Sequence, residues 1–149
     1  MKKRILVWAL LLMFGISSSF ANNEEGVSAR VKASFKKEFA NATDVKWESS
    51  KDFTKATFNL NDQVIFAYYG ESGELIAVSR NITAAQLPIN LLSDLKKAYT
   101  NFWVTDLFEI ALNEETNYYV TIENADRVVV LKSAGAGWIL YKKTKKDKE

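Results

Sequence analysis

The chain has 149 residues, of which 13% are aromatic, with 20 basic and 18 acidic side chains and neither cysteine nor histidine. That composition excludes disulfides, thiol nucleophiles, the commonest general base and the standard zinc ligands. A chain of this length without covalent staples has to be held by its core, and it suits one domain or two small repeats.

Lys2, Lys3 and Arg4 open the sequence. An apolar run from Ile5 to Ile16 follows, and then the small residues Ser17, Ser18 and Ser19 before Ala21. This order predicts a secretory signal peptide over residues 1–21. The apolar run is shorter than the roughly 20 residues a membrane-spanning helix needs. The mature chain would start at Asn22 and reside in the periplasm or outside the cell. No cysteine follows the cleavage point, so lipid anchoring and stable membrane insertion form no part of this reading.

From Val27 the apolar residues fall at Val27, Val31, Phe35 and Phe39, a spacing of four that predicts an amphipathic helix ending near Asn41. The period then becomes two. Val45 and Trp47, then Ala56, Phe58 and Leu60, alternate with polar residues. Asn61-Asp62 predicts a tight turn, because both side chains tolerate left-handed backbone. Val64 to Tyr69 reads as a central strand, Gly70 to Gly73 as a turn, and Leu75 to Val78 as a fourth strand. Thr83 and Gln86 fit a capping box, and Pro88, the only proline, fits the first position of a helix. Leu91, Leu92, Leu95, Tyr99 and Phe102 carry a second helical stripe. Strands return from Val104 to Leu112, around Tyr118, Val120 and Ile122, from Val128 to Leu131, and from Trp138 to Tyr141. Turns are expected at Glu114-Glu115 and at Asn124 to Asp126.

The halves correspond in element order, with Phe35 matching Leu95, Phe39 matching Tyr99 and Gly73 matching Gly137. The predicted fold is α+β: two tandem repeats of one helix on a four-stranded antiparallel meander. The repeats occupy residues 22–82 and 83–142, and residues 143–149 form a basic flexible tail. Without its leader the chain carries 17 basic and 18 acidic groups, and five of those lysines crowd the last eight residues. The remaining body lacks the basic face that phosphate backbones require, so nucleic acid is not an expected partner.

Catalytic signatures are absent. There is no nucleophile elbow, phosphate-cradling glycine loop or calcium loop. Asp44 with Glu48, and Glu114 with Glu115, are the carboxylates that could pair, and both sets read as solvated acids. No cofactor or metal is implied. Alternation puts Tyr118, Val120 and Ile122 on the helix side of their strand, so Tyr119 turns to the other face. Through the repeat match Leu75 aligns with Ile139, which turns Trp138 and Leu140 outward too. Tyr119 and Trp138 are therefore the candidate partner-binding residues, partly exposed and away from both helices. The alternative is a small apolar ligand held between sheet and helix, lined by residues such as Phe66 and Tyr118.

The segments Ala42 to Glu48, Ala56-Thr57-Phe58, Ala67-Tyr68-Tyr69 and Gly73 to Ala77 resemble the bacterial PepSY-like family. So do Ile82 to Pro88 and the Leu95-Lys96-Lys97 helix. That family is similar to the β-lactamase inhibitor proteins. The resemblance covers nearly all of the mature chain. It implies an exported, non-enzymatic binding domain of two helix-plus-sheet repeats forming one continuous curved sheet, with an envelope or secreted protein as partner and a peptidase as one candidate target. It carries over no inhibitory residue, and the inhibitors rely on disulfides that this chain does not have.

Overall fold

The computed structural model describes residues 24–146. The signal peptide expected at residues 1–21 lies outside the described residues. Helix α1 is Ala29–Glu38, and strands β1 (Thr43–Ser49), β2 (Thr54–Leu60), β3 (Gln63–Tyr69) and β4 (Leu75–Asn81) follow it. Helix α2 is Ile89–Ala98, followed by β5 (Trp103–Leu112), β6 (Glu115–Glu123), β7 (Arg127–Ala134) and β8 (Gly137–Lys145). The eight strands form one open antiparallel sheet in the order β1 to β8, so each strand pairs with its neighbour in sequence.

Local chemistry accounts for the element ends. The Ser28 hydroxyl accepts the Val31 N–H at 3.2 Å and caps α1. Before α2, the Gln86 side chain accepts the Thr83 N–H at 2.9 Å. Pro88 stands at the cap of α2, one residue ahead of its expected place, and its carbonyl accepts the Leu92 N–H at 3.0 Å. The β2–β3 turn uses Asn61 and Asp62 at φ 50° and 61°. The β5–β6 turn uses Asn113 and Glu114 at φ 52° and 66°, one residue earlier than expected. Asparagine takes left-handed backbone more readily than glutamate does, and Glu115 instead opens β6. Gly73 has φ +88°, and a Cβ there would meet the Arg30 carbonyl oxygen at 3.0 Å.

Two apolar clusters fill one face of the sheet. Phe35 of α1 meets Trp47 and Phe58 edge-on, at ring separations of 5.1 and 4.9 Å. Val31, Ala56, Ile65, Ala67 and Tyr69 complete that cluster. Leu95 of α2 packs with Leu107, Val120, Ile122, Val129 and Leu131. Burying each such large side chain stabilises by about 1.5–3 kcal/mol. Register places both clusters on the same face: Ala67 pairs with Val78, Leu107 with Val120, and Val120 with Leu131. Between them, on that face, Arg80 donates to Glu109 and to Gln63, each at 2.5 Å.

The first lysines of the run read as a basic tail lie in β8. β8 continues through Lys145, and the Lys146 N–H donates to the Asp126 carbonyl at 2.9 Å. An outermost strand with water on its free side accommodates lysines without breaking its ladder. Residues 147–149 lie outside the described residues.

Candidate functional site

The face opposite the helices carries a third cluster. Phe53, Tyr68, Ala77, Phe108, Ile110 and Tyr119 are buried there, with Phe66, Val130 and Tyr141 packed around them. Among the described residues neither α1 nor α2 covers this face, yet Tyr119 is only 2% exposed. Among the described residues the β1–β2 connection contributes to the cover, where Phe53 sits 5.6 Å from the Tyr68 ring.

Tyr119 sits at the centre of the cluster. Its ring stacks on Phe108 at 5.2 Å with 12° between planes, and meets Tyr141 edge-on at 5.4 Å. Lys132 Nζ lies 5.8 Å from the Tyr119 centroid, and Lys55 Nζ lies 5.4 Å from that of Phe66. Burial pushes the phenols of Tyr68 and Tyr119 up to about 12. Burial also raises Tyr141 and takes Tyr69, on the helix side, well above the ordinary phenol range. Thr57, Asn59, Thr121, Lys55 and Lys132 alternate with the apolar rows and form a polar rim. Val64 and Ile139 are half-exposed on the same face.

Tyr119 therefore faces away from the helices, as strand alternation predicts, but it is covered rather than partly exposed. For Trp138 the expected side is reversed. Trp138 pairs with Ser133 on the helix side, and its indole N–H donates to the Leu91 carbonyl of α2 at 2.9 Å. Ile139, expected inward, pairs with Lys132 on the helix-free face, and Tyr141 points the same way. The repeat match slipped by one residue, and in a strand one residue exchanges the faces. Tyr141 follows Ile139 by alternation, and a bulge between Leu140 and Lys142 then turns Lys142 to that side too. The sequence reading missed Phe53, Phe108 and Ile110. The Phe108, Ile110, Leu112 alternation was its available signal.

The other candidates separate. Phe66 lies on the helix-free face, whereas Tyr118 packs into the α2 cluster on the opposite side. They cannot line one pocket. Asp44 accepts a hydrogen bond from Asn59 at 2.8 Å, while Glu48 pairs with Lys55 at 2.6 Å. Glu114 and Glu115 are exposed. A hollow of about 520 Å³ lined by Asn41, Thr43, Asp44, Asn59, Asn61 and Asp62 is wholly polar. Among the described residues no three acids gather as metal ligands, and no helix is long and apolar enough to cross a membrane.

Asp106, paired across from Thr121, is partly desolvated. Burial raises its pKa against the opposing pull of the Leu107 N–H. The folded state thus holds the Asp106 proton more tightly than the unfolded chain does. Stability from this group falls as pH rises above the ordinary aspartate value of 3.8. Asp106→Asn should raise the thermal midpoint at neutral pH and give no gain in acid below that value, as calorimetry across pH would reveal.

No protein-family model and no curated protein matches the sequence. Solved structures do match in fold. A BLIP-like protein from Bacteroides fragilis superposes with a TM-score of 0.71 at 21% identity, over 85% of this chain and 95% of that one. A DUF2874 family protein from Bacteroides uniformis gives a TM-score of 0.71 at 14% identity, over 80% and 89% of the two chains. A protein from Bacteroides eggerthii predicted to be periplasmic gives 0.71 at 12% identity, over 80% and 88%. The described residues, two helices on one open eight-stranded meander, thus share their α+β fold with a BLIP-like protein.

Proposed function

We propose that the chain is an exported, non-enzymatic binding module whose working surface is the helix-free face of the sheet. The observation that carries this reading is an aromatic cluster on the face that neither helix covers, with a polar and cationic rim. Aromatic side chains backed by a rigid sheet and bordered by adaptable polar groups suit a protein partner. Tyr119 forms the floor of this surface, and Lys132, Val64 and Ile139 are its reachable groups. The leader at residues 1–21 and the likeness to a protein predicted to be periplasmic support a location in the periplasm or outside the cell.

Residues 22–82 and 83–142 are best taken as two copies of one unit. Each holds a ten-residue helix followed by four strands. Each helix ends on an aromatic residue, Phe39 or Tyr99, whose N–H returns to the carbonyl of Phe35 or Leu95. The likeness to a BLIP-like protein supports a partner that is itself an envelope or secreted protein, and the PepSY-like resemblance makes a peptidase the first target class to try.

A photoreactive amino acid placed at Lys132 or Ile139, and at Lys36 or Lys97 on the wet sides of the helices, tests the surface in cells. Discrete adducts from the sheet positions alone are the expected result. Adducts from the helix positions alone, or none from Lys132 and Ile139, would show the working surface to be elsewhere.

A further inference from the structure

The sheet order ends at β8, so among the described residues the outer row of peptide groups along Gly137–Lys145 meets no further strand. The bulge at Tyr141 divides this edge into an apolar run, Trp138 to Tyr141, and a basic run, Lys142 to Lys145. Ile139 and Leu140 are 51% and 61% exposed. In the basic run, Lys143 pairs with Val129 and Lys145 pairs with Arg127, so all three cations share one face. Like charges placed directly opposite on neighbouring strands repel. Among the described residues no acid pairs with Arg127, Lys143 or Lys145, whereas Glu123 holds Lys146 at 3.3 Å. The same three cations, with Asp126 and Lys146, line an open hollow of about 330 Å³ beside the edge. An unfinished backbone ladder and an uncompensated positive field therefore coincide on one strand.

We infer that β8 is a docking edge for an extended acidic segment of another polypeptide. The segment adds as a further antiparallel strand, with its carboxylates against Lys142, Lys143, Lys145 and Arg127 and its aliphatic side chains beside Ile139 and Leu140. Main-chain hydrogen bonds hold such a strand, and alternate side chains select it. Antiparallel addition makes the segment read acids first and aliphatic residues after. Lysines on an edge ordinarily guard it against neutral or basic strands. Toward an acidic strand the same lysines attract, so the edge selects by charge. A second copy of β8 fits poorly, because its lysines would face either these lysines or the apolar run, leaving Arg127 uncompensated. A small free anion would neutralise the cations but leave the peptide row and Leu140 unmet. This edge shares Ile139 with the helix-free face, but Lys143, Lys145 and Arg127 lie on the opposite face, so substitutions there test the edge apart from that surface.

The test uses the chain from Asn22 to Glu149, which holds every element described. The probe is a fluorescent peptide of nine residues, the length of β8, with glutamates in its first half and alternating valine and threonine in its second. Saturable anisotropy is expected, with slowed amide exchange at alternate residues of β8. A strand offers only every second N–H to one neighbour. N-methylation of the peptide in one alternate phase should therefore abolish binding, and in the other phase spare it. The double variant Lys143→Glu, Lys145→Glu, checked for fold by circular dichroism, should bind at least about ten-fold more weakly. Equal binding of both N-methylated peptides would reduce the effect to charge alone and overturn the proposal. So would protection of β8 through dimerisation without peptide, or an absence of saturable binding.

Discussion

Tyr119→Ala should lower the free energy of unfolding by about 4 kcal/mol, the range for deleting a fully buried aromatic ring. The reason is its position between two other rings: Phe108 stacks on one face at 5.2 Å and Tyr141 meets it edge-on at 5.4 Å. Removing the ring opens a void that strands β5, β6 and β8 border together, and paired backbones cannot close in to fill it. Tyr119→Phe preserves the stack and should stay close to the parent. Urea denaturation of the three proteins provides the measurement. A loss below about 1 kcal/mol for the alanine variant would place Tyr119 among exposed residues and contradict the described cluster.

Trp138→Ala should lower stability by about 3 kcal/mol, somewhat less than a fully buried tryptophan because the ring is only partly covered. Two contributions combine. The indole packs against the α2 cluster, and its N–H satisfies the Leu91 carbonyl at 2.9 Å. Trp138→Phe keeps most of the packing and loses the donor, and a loss of about 1 kcal/mol is expected for it. Because Trp138 ties β8 to α2, hydrogen exchange in the alanine variant should rise first along those two elements. A uniform rise across the sheet would argue against that tie.

Much of the architecture was written in spacing. Val27, Val31, Phe35 and Phe39 announced α1, and Asn61-Asp62 announced a turn that the structure places at left-handed backbone. Tyr118, Val120 and Ile122 were correctly assigned to the helix side, which put Tyr119 on the other. Alternation names a face but not its cover. Phe108 and Tyr141 reach Tyr119 only through the pairing of β5, β6, β7 and β8. The bulge at Tyr141 has no signature of its own in Gly137 to Lys145, and Trp138 was misassigned through a match that ignored such slips. The lysine run read as a solvated end because charge density speaks for water. It does not reveal that β7 offers the run a ladder on one side.

The order of the sheet also governs how the chain reaches it. Seven pairings join eight strands, and six of them close across short turns, from β1–β2 to β3–β4 and from β5–β6 to β7–β8. The remaining pairing, β4 with β5, brings Ala77 to Leu112 across the whole of α2. Loop closure costs more as the loop lengthens, and long-range contacts slow folding. Each half can therefore gather its own hairpins within its own stretch of chain. The late event is the meeting of β4 and β5, when Arg80 reaches Glu109 and two growing sheets become one.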